Sequence, residues 1–440
     1  MIKKTLLYTS LICLFACGKE GITLPPSFKG ETAFVKTFGG SLNDVAHSVV
    51  ATADGGYAIA GYTQSNDFDL QGKSNTSFDF LVLKYDANDA LVWKKTYGGS
   101  NDDRAQQLIN TSDGGLAVIG YTKSNDGDVT RNAGDRDYWI VKLDSNGNLS
   151  WQQSFGYLGR DFGTCVTETK DGGFLIAGEL DVTSSGGQGN SKSSRTLHAG
   201  GDFWAIKLNK SGTKEWSKYY GGSFSDTPYG VVEMPNGNFI ITGTSDSSDV
   251  DITDNKGTYD VWAVQITSKG TLVWRKNFGG SEIDEAKGII ATPDQHYMLI
   301  GNTRSSDKDI QANKGGADLW LLKIDSQGTK VWEQTLGGSS FDVGNAIRTF
   351  DTANFLLAGS SRSADNGLTN RGQNDAWIVQ IDATGKIQWQ KTIGGSDIDF
   401  CYDATVLNNG RVIAVGESTS KNGDIPGNKG FSDVLIIKLQ

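Results

Sequence analysis

Aspartate is the residue with which this chain could do most chemistry. Pairs of carboxylates at alternate positions recur in its longest loops: Asp67 and Asp69, Asp126 and Asp128, Asp249 and Asp251, Asp307 and Asp309, with Asp365 and Asp424 as partial copies. Hard oxygen ligands so spaced could hold calcium, yet the spacing departs from the EF-hand loop and lacks its distant bidentate glutamate. Turn-forming, solvated carboxylates are therefore the preferred reading; no cofactor and no metal is expected, with calcium as the alternative. A second set closes a Gly-Gly-Ser-x-x-Asp element at Asp44, Asp103, Asp161, Asp226, Asp284, Asp342 and Asp399, with Gly156-Tyr157-Leu158 replacing Gly-Gly-Ser once. Carboxylates in such loops are expected to accept backbone N–H groups, as in Asx-turns. The histidines His47, His198 and His296 have no His-x-x-x-His or Cys-x-x-Cys companion, so no zinc centre is expected. A Gly-x-Ser-x-Gly elbow and a phosphate-binding Gly-Lys-Ser loop are missing too, and no catalytic residue is assigned.

These elements are positioned by a repeat. Trp93, Trp151, Trp216, Trp274, Trp332 and Trp389 fall at one offset, and Trp139, Trp204, Trp262, Trp320 and Trp377 at another; together they are all 11 tryptophans. Asp79, Asp137, Asp202, Asp260, Asp318, Asp375 and Asp433 keep the same beat of about 58 residues, and so do Gly61, Gly120, Gly178, Gly243, Gly301, Gly359 and Gly416. The third copy alone carries an insertion, from Glu179 to Gly201, which brings Arg195 and His198 to an otherwise acidic rim. With the paired loop aspartates they make the candidate binding rim. A residue used in most copies is most economically structural, and this covers the six tryptophans of the first offset and the Gly-Gly-Ser-x-x-Asp carboxylates.

Each copy reads as four short strands with no helical period, and Asp-Gly and Asn-Gly turns join them. Seven such units predict an all-β chain folded as a seven-bladed β-propeller, four antiparallel strands to a blade. Reach sets the strand order. Crossing from the outer strand of one blade to the inner strand of the next spans roughly 14 Å. A turn of about four residues such as "DSNG" extends to roughly 13 Å at most, whereas the Gly-Gly-Ser-x-x-Asp element suffices. The strand after that element is thus innermost, and the N-terminal "AFVKTFG" must close the last blade beside "DVLIIKL".

The turn and tryptophan of "LDSNGNLSW" resemble the docking repeat of quinoprotein propellers, where such tryptophans tie blades together; here too packing, not a cofactor platform, is expected. The whole repeat is similar to the SBBP-type β-propeller repeats of bacterial exported proteins. That resemblance implies an envelope or surface location and transfers no catalytic residue.

The N-terminal stretch "MIKKTLLYTSLICLFAC" pairs Lys3 and Lys4 with an apolar run too short to span a bilayer. Its end, Leu14-Phe15-Ala16-Cys17, resembles the lipobox of bacterial lipoproteins, which implies cleavage before Cys17 and acylation of its thiol. The expected organisation is a signal peptide over 1–16, an acylated cysteine and tether over 17–32, and the propeller over 33–440. Deleting the tether as far as Gly30 is expected to leave stability unchanged. Gly18 after the cysteine favours the outer membrane, at its periplasmic face or the cell surface. Cys165 and Cys401 sit at different offsets of the repeat and read as buried free thiols.

A net charge of −10 without any basic run gives nucleic acid no electrostatic purchase and leaves the lipid anchor as the only membrane contact. The functional expectation is a lipid-anchored, non-enzymatic propeller of the bacterial envelope that binds protein or glycan or acts as an assembly scaffold. A carbohydrate-active or quinone-dependent propeller enzyme is the alternative, because the fold hosts both.

Overall fold

The computed structural model describes residues 28–190 and 198–440. The signal segment, Cys17 and Arg195 lie outside the described residues.

Seven four-stranded antiparallel sheets surround one axis. Blade 1 runs outward through Asp44–Ala51, Tyr57–Thr63, Asp79–Tyr85 and Leu91–Tyr97. The next five blades repeat this order, and all seven innermost strands contribute to a single axial cavity. In blade 7 the outer strand is N-terminal: Thr32–Phe38 pairs antiparallel with Asp433–Leu439, from Thr32 opposite Leu439 to Phe38 opposite Val434. The strand order and the closure predicted from reach are the ones observed. Closure in this way removes the free edge that the last sheet would otherwise present.

The core lies between blades. Trp139, Trp204, Trp262, Trp320 and Trp377 of the third strands are almost completely buried. Three of them meet an aromatic ring of the preceding blade, Phe80 to Trp139 at 4.5 Å, Tyr138 to Trp204 at 5.0 Å and Phe203 to Trp262 at 4.6 Å between centroids. Cys165 and Cys401 are buried free thiols on inner strands of blades 3 and 7.

The outer-strand tryptophans act one blade further on, because each ring lies over the turn glycine of its neighbour. A Cβ on Gly147 would sit 2.9 Å from Trp93, and one on Gly212 2.7 Å from Trp151. Trp216 and Trp274 also donate their indole N–H to Ser268 and Ser326 carbonyls in those turns, both at 3.1 Å. At the closing seam there is no such turn, and Gly30 takes its place beneath Trp389; any side chain at Gly30 would overlap the indole. Phe28 then packs edge-on against both Trp389 and Phe350 at 5.2 Å, and the N–H groups of Lys29 and Glu31 donate to the Gln440 carbonyl. Phe28, five residues before Ala33, is thus packed on the propeller, and contacts join the end of the expected tether to it. This contact leads us to expect, unlike the reading of an inert segment up to Gly30, that Gly30 contributes to the seam, because a tryptophan there needs a glycine beneath it.

Removal of Phe28 to Gly30 should accordingly lower stability by about 1–3 kcal/mol, the usual range for losing a partly buried aromatic contact. Removal of 18–26 alone should leave the melting temperature unchanged. Calorimetry of the two truncations checks this, and equal melting temperatures would refute the docking role of Gly30.

Candidate functional site: the axial channel and its rim

The Gly-Gly-Ser-x-x-Asp carboxylates hold the loops that cross between blades. Asp44 accepts the Gly40 N–H at 2.7 Å, the Thr63 hydroxyl at 2.5 Å and the Ser65 hydroxyl at 2.8 Å. The same N–H bond recurs at 2.6–2.8 Å from Gly99 to Asp103, Tyr157 to Asp161, Gly222 to Asp226, Gly280 to Asp284, Gly338 to Asp342 and Gly395 to Asp399. The third copy keeps the bond because a backbone donor does not depend on its side chain.

The paired loop aspartates clasp the same crossing loops from outside. The first of each pair accepts a Ser N–H: Asp67 from Ser41, Asp126 from Ser100, Asp249 from Ser223 and Asp307 from Ser281, at 2.8–2.9 Å. The second accepts the first Gly N–H: Asp69 from Gly39, Asp128 from Gly98, Asp251 from Gly221 and Asp309 from Gly279, at 3.1–3.3 Å. Lys429 pairs with Asp69 at 2.8 Å and Lys256 with Asp309 at 2.6 Å. Among the described residues no group of three His, Cys, Asp or Glu side chains is arranged to hold a metal ion. His198 faces inward: its Nδ1 lies 2.5 Å from Asp202 Oδ2 and its ring meets Tyr219 edge-on at 5.0 Å. Burial opposes its charge, but the Asp202 and Asp251 carboxylates hold its pKa above the ordinary value.

A second carboxylate sits beside each crossing-loop aspartate. Gly39 lies so close between Asp433 and Asp44 that a Cβ there would be 2.5 Å from one carboxylate and 2.8 Å from the other. Asp79, Asp137, Asp202, Asp260, Asp318, Asp375 and Asp433 each leave a buried Oδ1 without a hydrogen-bond partner. Burial, reinforced by the neighbouring carboxylate, pushes Asp226 up to about 8 and Asp260 to about 7; at Asp79 burial outweighs Lys73 and the value is again about 7. Burial beside a like charge favours the neutral form of one carboxyl of a pair.

The residues that differ between copies meet at the axis. Every inner strand slips register after the second residue beyond its repeated aspartate, as between Ala46 and Ser48 or Gly163 and Cys165. A bulge of this kind re-aims the extra side chain. The seven bulged residues are His47, Gln106, Thr164, Tyr229, Lys287, Asn345 and Tyr402, and all line the axial cavity of about 270 Å³. Arg348 and Asp403 lie further along it, ion-paired at 2.7 Å, and Asp403 also accepts the Ser48 hydroxyl at 2.9 Å.

Toward the crossing loops the mouth is two-sided. On blades 7, 1 and 2 a continuous run of ring contacts goes from Tyr402, stacked on His47 (4.8 Å), to Tyr62 (5.3 Å) and edge-on to Phe78 (5.3 Å). Arg104 lies over Phe78 at 3.9 Å and over Tyr62 at 5.0 Å, and Arg136 over Tyr121 at 4.9 Å. Burial and the Arg104 charge push His47 down to about 4, so it is neutral near pH 7. Two carboxyls complete the mouth: Glu179 accepts the Thr227 hydroxyl at 2.5 Å and Glu417 the Tyr402 hydroxyl at 2.6 Å, and burial raises both above the ordinary glutamate range. Around this mouth Leu158, Phe224, Phe341 and Phe431 are exposed, Phe341 with Arg304 and Arg362 at 5.8 and 6.0 Å from its ring. The signal for the ring was the third residue after each repeated aspartate, which is different in nearly every copy.

No family model matches the chain. Among curated proteins it is similar to the regulatory protein FlaEY of Caulobacter vibrioides, 22% identical over 404 residues that cover 84% of this chain and 42% of that protein. It is also similar to the uncharacterized WD repeat-containing protein L264 of Acanthamoeba polyphaga mimivirus, 25% identical over 280 residues covering 54% of this chain and 20% of that one. The chain thus spans less than half the length of either relative. Among solved structures it resembles the WD40 domain of Neurospora crassa Pan2, at 10% identity and a TM-score of 0.42, over 76% of this chain and 89% of that one.

Two outcomes follow from the carboxylates. Native dyads with raised pKa bind more protons than the unfolded chain between about pH 4 and 8, so stability should fall as pH rises through that window. Asp226→Asn should shrink the difference between melting temperatures at pH 5 and pH 8, and a melting temperature that rises over this range would be contrary. For the paired rim, millimolar calcium should shift the melting temperature no more than sodium chloride of equal ionic strength. Asp126→Asn with Asp128→Asn should destabilise the calcium-free protein, because their acceptors serve backbone N–H groups; a calcium-specific shift abolished by this pair would make the rim a metal site.

Proposed function

We propose that this protein is a non-enzymatic binding propeller whose partner, a protein or a glycan, docks on the crossing-loop face around the mouth of the axial channel. One observation carries the reading: the positions that escape the repeat collect there, as an aromatic and guanidinium stack ringed by exposed Leu158, Phe224, Phe341 and Phe431. Aromatic and arginine side chains of this kind dominate binding energy at interfaces. The similarity to a WD repeat-containing protein supports an interaction role, and the relative named as a regulatory protein is compatible with it.

The lipobox-like Cys17 supports tethering of this propeller to the bacterial outer membrane, at the periplasmic face or the cell surface, with a scaffold role in envelope assembly as one form of the same function. A carbohydrate-active enzyme is the second reading. It draws on Glu179 and Glu417, two carboxyls at the crossing-loop end whose pKa burial raises, as a glycosidase requires of the general acid in its pair. Their hydroxyl partners Thr227 and Tyr402 hold them against the wall, and binding is the simpler use of the site.

A soluble form beginning at Gly18, with Arg104→Glu and Phe341→Asp as test variants, decides between these. It should retain envelope proteins or glycans that the double variant, still folded, loses, and should release no reducing sugar from envelope polysaccharide. Retention by the double variant, or sugar release abolished by Glu179→Gln, would refute the proposal.

A further inference from the structure

The axial cavity below the mouth has a chemistry of its own. Its charges are already matched: Arg348 Nη2 meets Asp403 at 2.7 Å, and Lys287 Nζ meets Glu285 at 3.3 Å while lying 4.3 Å above the Tyr229 ring. The acceptor capacity of Asp403 is further used by the Ser48 hydroxyl and the Val49 N–H at 3.1 Å. What remains unspent is neutral. The Gln106 amide, the Tyr229 hydroxyl and the His47 imidazole make no hydrogen bond among the described residues, and Asn345 uses only its NH2, on the Cys401 carbonyl at 2.9 Å. Val231 and Ile289 add apolar wall to the same cavity.

Neutral amides, a phenol and an imidazole each offer both donor and acceptor capacity, which is what a sugar hydroxyl requires of its surroundings. Apolar wall beside them suits the C–H face of a pyranose ring. Drug-sized ligands occupy clefts of roughly 300–1,000 Å³, so this smaller volume fits a single ring better than a chain. We infer that the axial cavity is a binding site for one neutral monosaccharide unit, free or at the end of a glycan, held by Gln106, Tyr229, Asn345 and His47. The inference rests on the binding reading above and names a ligand class for it. A charged sugar acid or amino acid is disfavoured because it would have to break one of the two wall ion pairs to find a counter-charge.

Ligand-observed NMR and thermal shift with glucose, galactose, mannose and N-acetylglucosamine, and with glucuronate and lysine as charged comparators, test this on the soluble form. At least one neutral sugar should bind with Kd of about 1 mM or tighter. Gln106→Leu and Asn345→Leu should each weaken it at least tenfold, the melting temperature without ligand staying unchanged in Gln106→Leu and falling only by the loss of the Cys401 hydrogen bond in Asn345→Leu, and Phe341→Asp should leave sugar binding intact. Absence of neutral-sugar binding at that strength, persistence in both cavity variants, or tighter binding of glucuronate or lysine would overturn the inference. The cavity and the face fail separately: capture without sugar binding removes the cavity site alone, and sugar binding without capture removes the partner face alone.

Discussion

The structure depends on how a polypeptide crosses from the outer edge of one blade to the axis of the next. That crossing leaves loop N–H groups without a sheet partner, and buried backbone donors must be satisfied. Seven times the answer is a buried aspartate that takes the second loop N–H and two side-chain hydroxyls or their equivalents, as Asp44 does from Gly40, Thr63 and Ser65. Loop carboxylates such as Asp67 and Asp69 add the neighbouring N–H groups from the far side. Four crossings are thereby fixed by carboxylates from two directions, and hydrogen bonds help to set the blades in register.

This solution has a cost that the sequence repeats faithfully. Two carboxylates meet at every blade junction, with only a glycine such as Gly39 thin enough to pass between them. The buried, unpartnered oxygens of Asp79 and its six equivalents are the consequence of that geometry, and burial beside a like charge raises the pKa of carboxyls such as Asp226 and Asp260. The scaffold is rigid enough to carry variation elsewhere. Once the loop and the first three residues of the inner strand are fixed, the bulge delivers one side chain per blade to the axis, and its identity is free to differ: His47, Gln106, Thr164, Tyr229, Lys287, Asn345, Tyr402.

Blade number, strand order and closure were legible in the sequence because they follow from repeat length and chain reach, quantities that averaging over seven copies sharpens. The same averaging hid the site. Treating recurrent residues as structural identifies Asp44 or Trp93 correctly as scaffold, but the rim aspartates stood out only because they recur, and their oxygens serve backbone donors. His47, Gln106 and Lys287 lie at one offset from the repeated aspartate, and it is their dissimilarity in register that marks them. Gly30 was unreadable for another reason. Its role appears only when the chain ends meet, where it stands in for a turn glycine under Trp389 that no local pattern announces.

The division between repeated scaffold and variable site is the central claim, and one comparison tests it directly: melting temperatures of alanine variants at Asp103 and Asp342 against those at Gln106 and Asn345, which lie three residues on in blades 2 and 6 and share the inner-strand setting. The account predicts losses of several degrees for the aspartates, corresponding to about 1–3 kcal/mol each for buried acceptors removed from N–H donors, near-identity with the unmodified protein for Gln106, and a smaller loss for Asn345, which gives up one hydrogen bond to the Cys401 carbonyl. Equal losses at both sets, or a larger loss at Gln106 and Asn345, would contradict it by making the axis part of the framework.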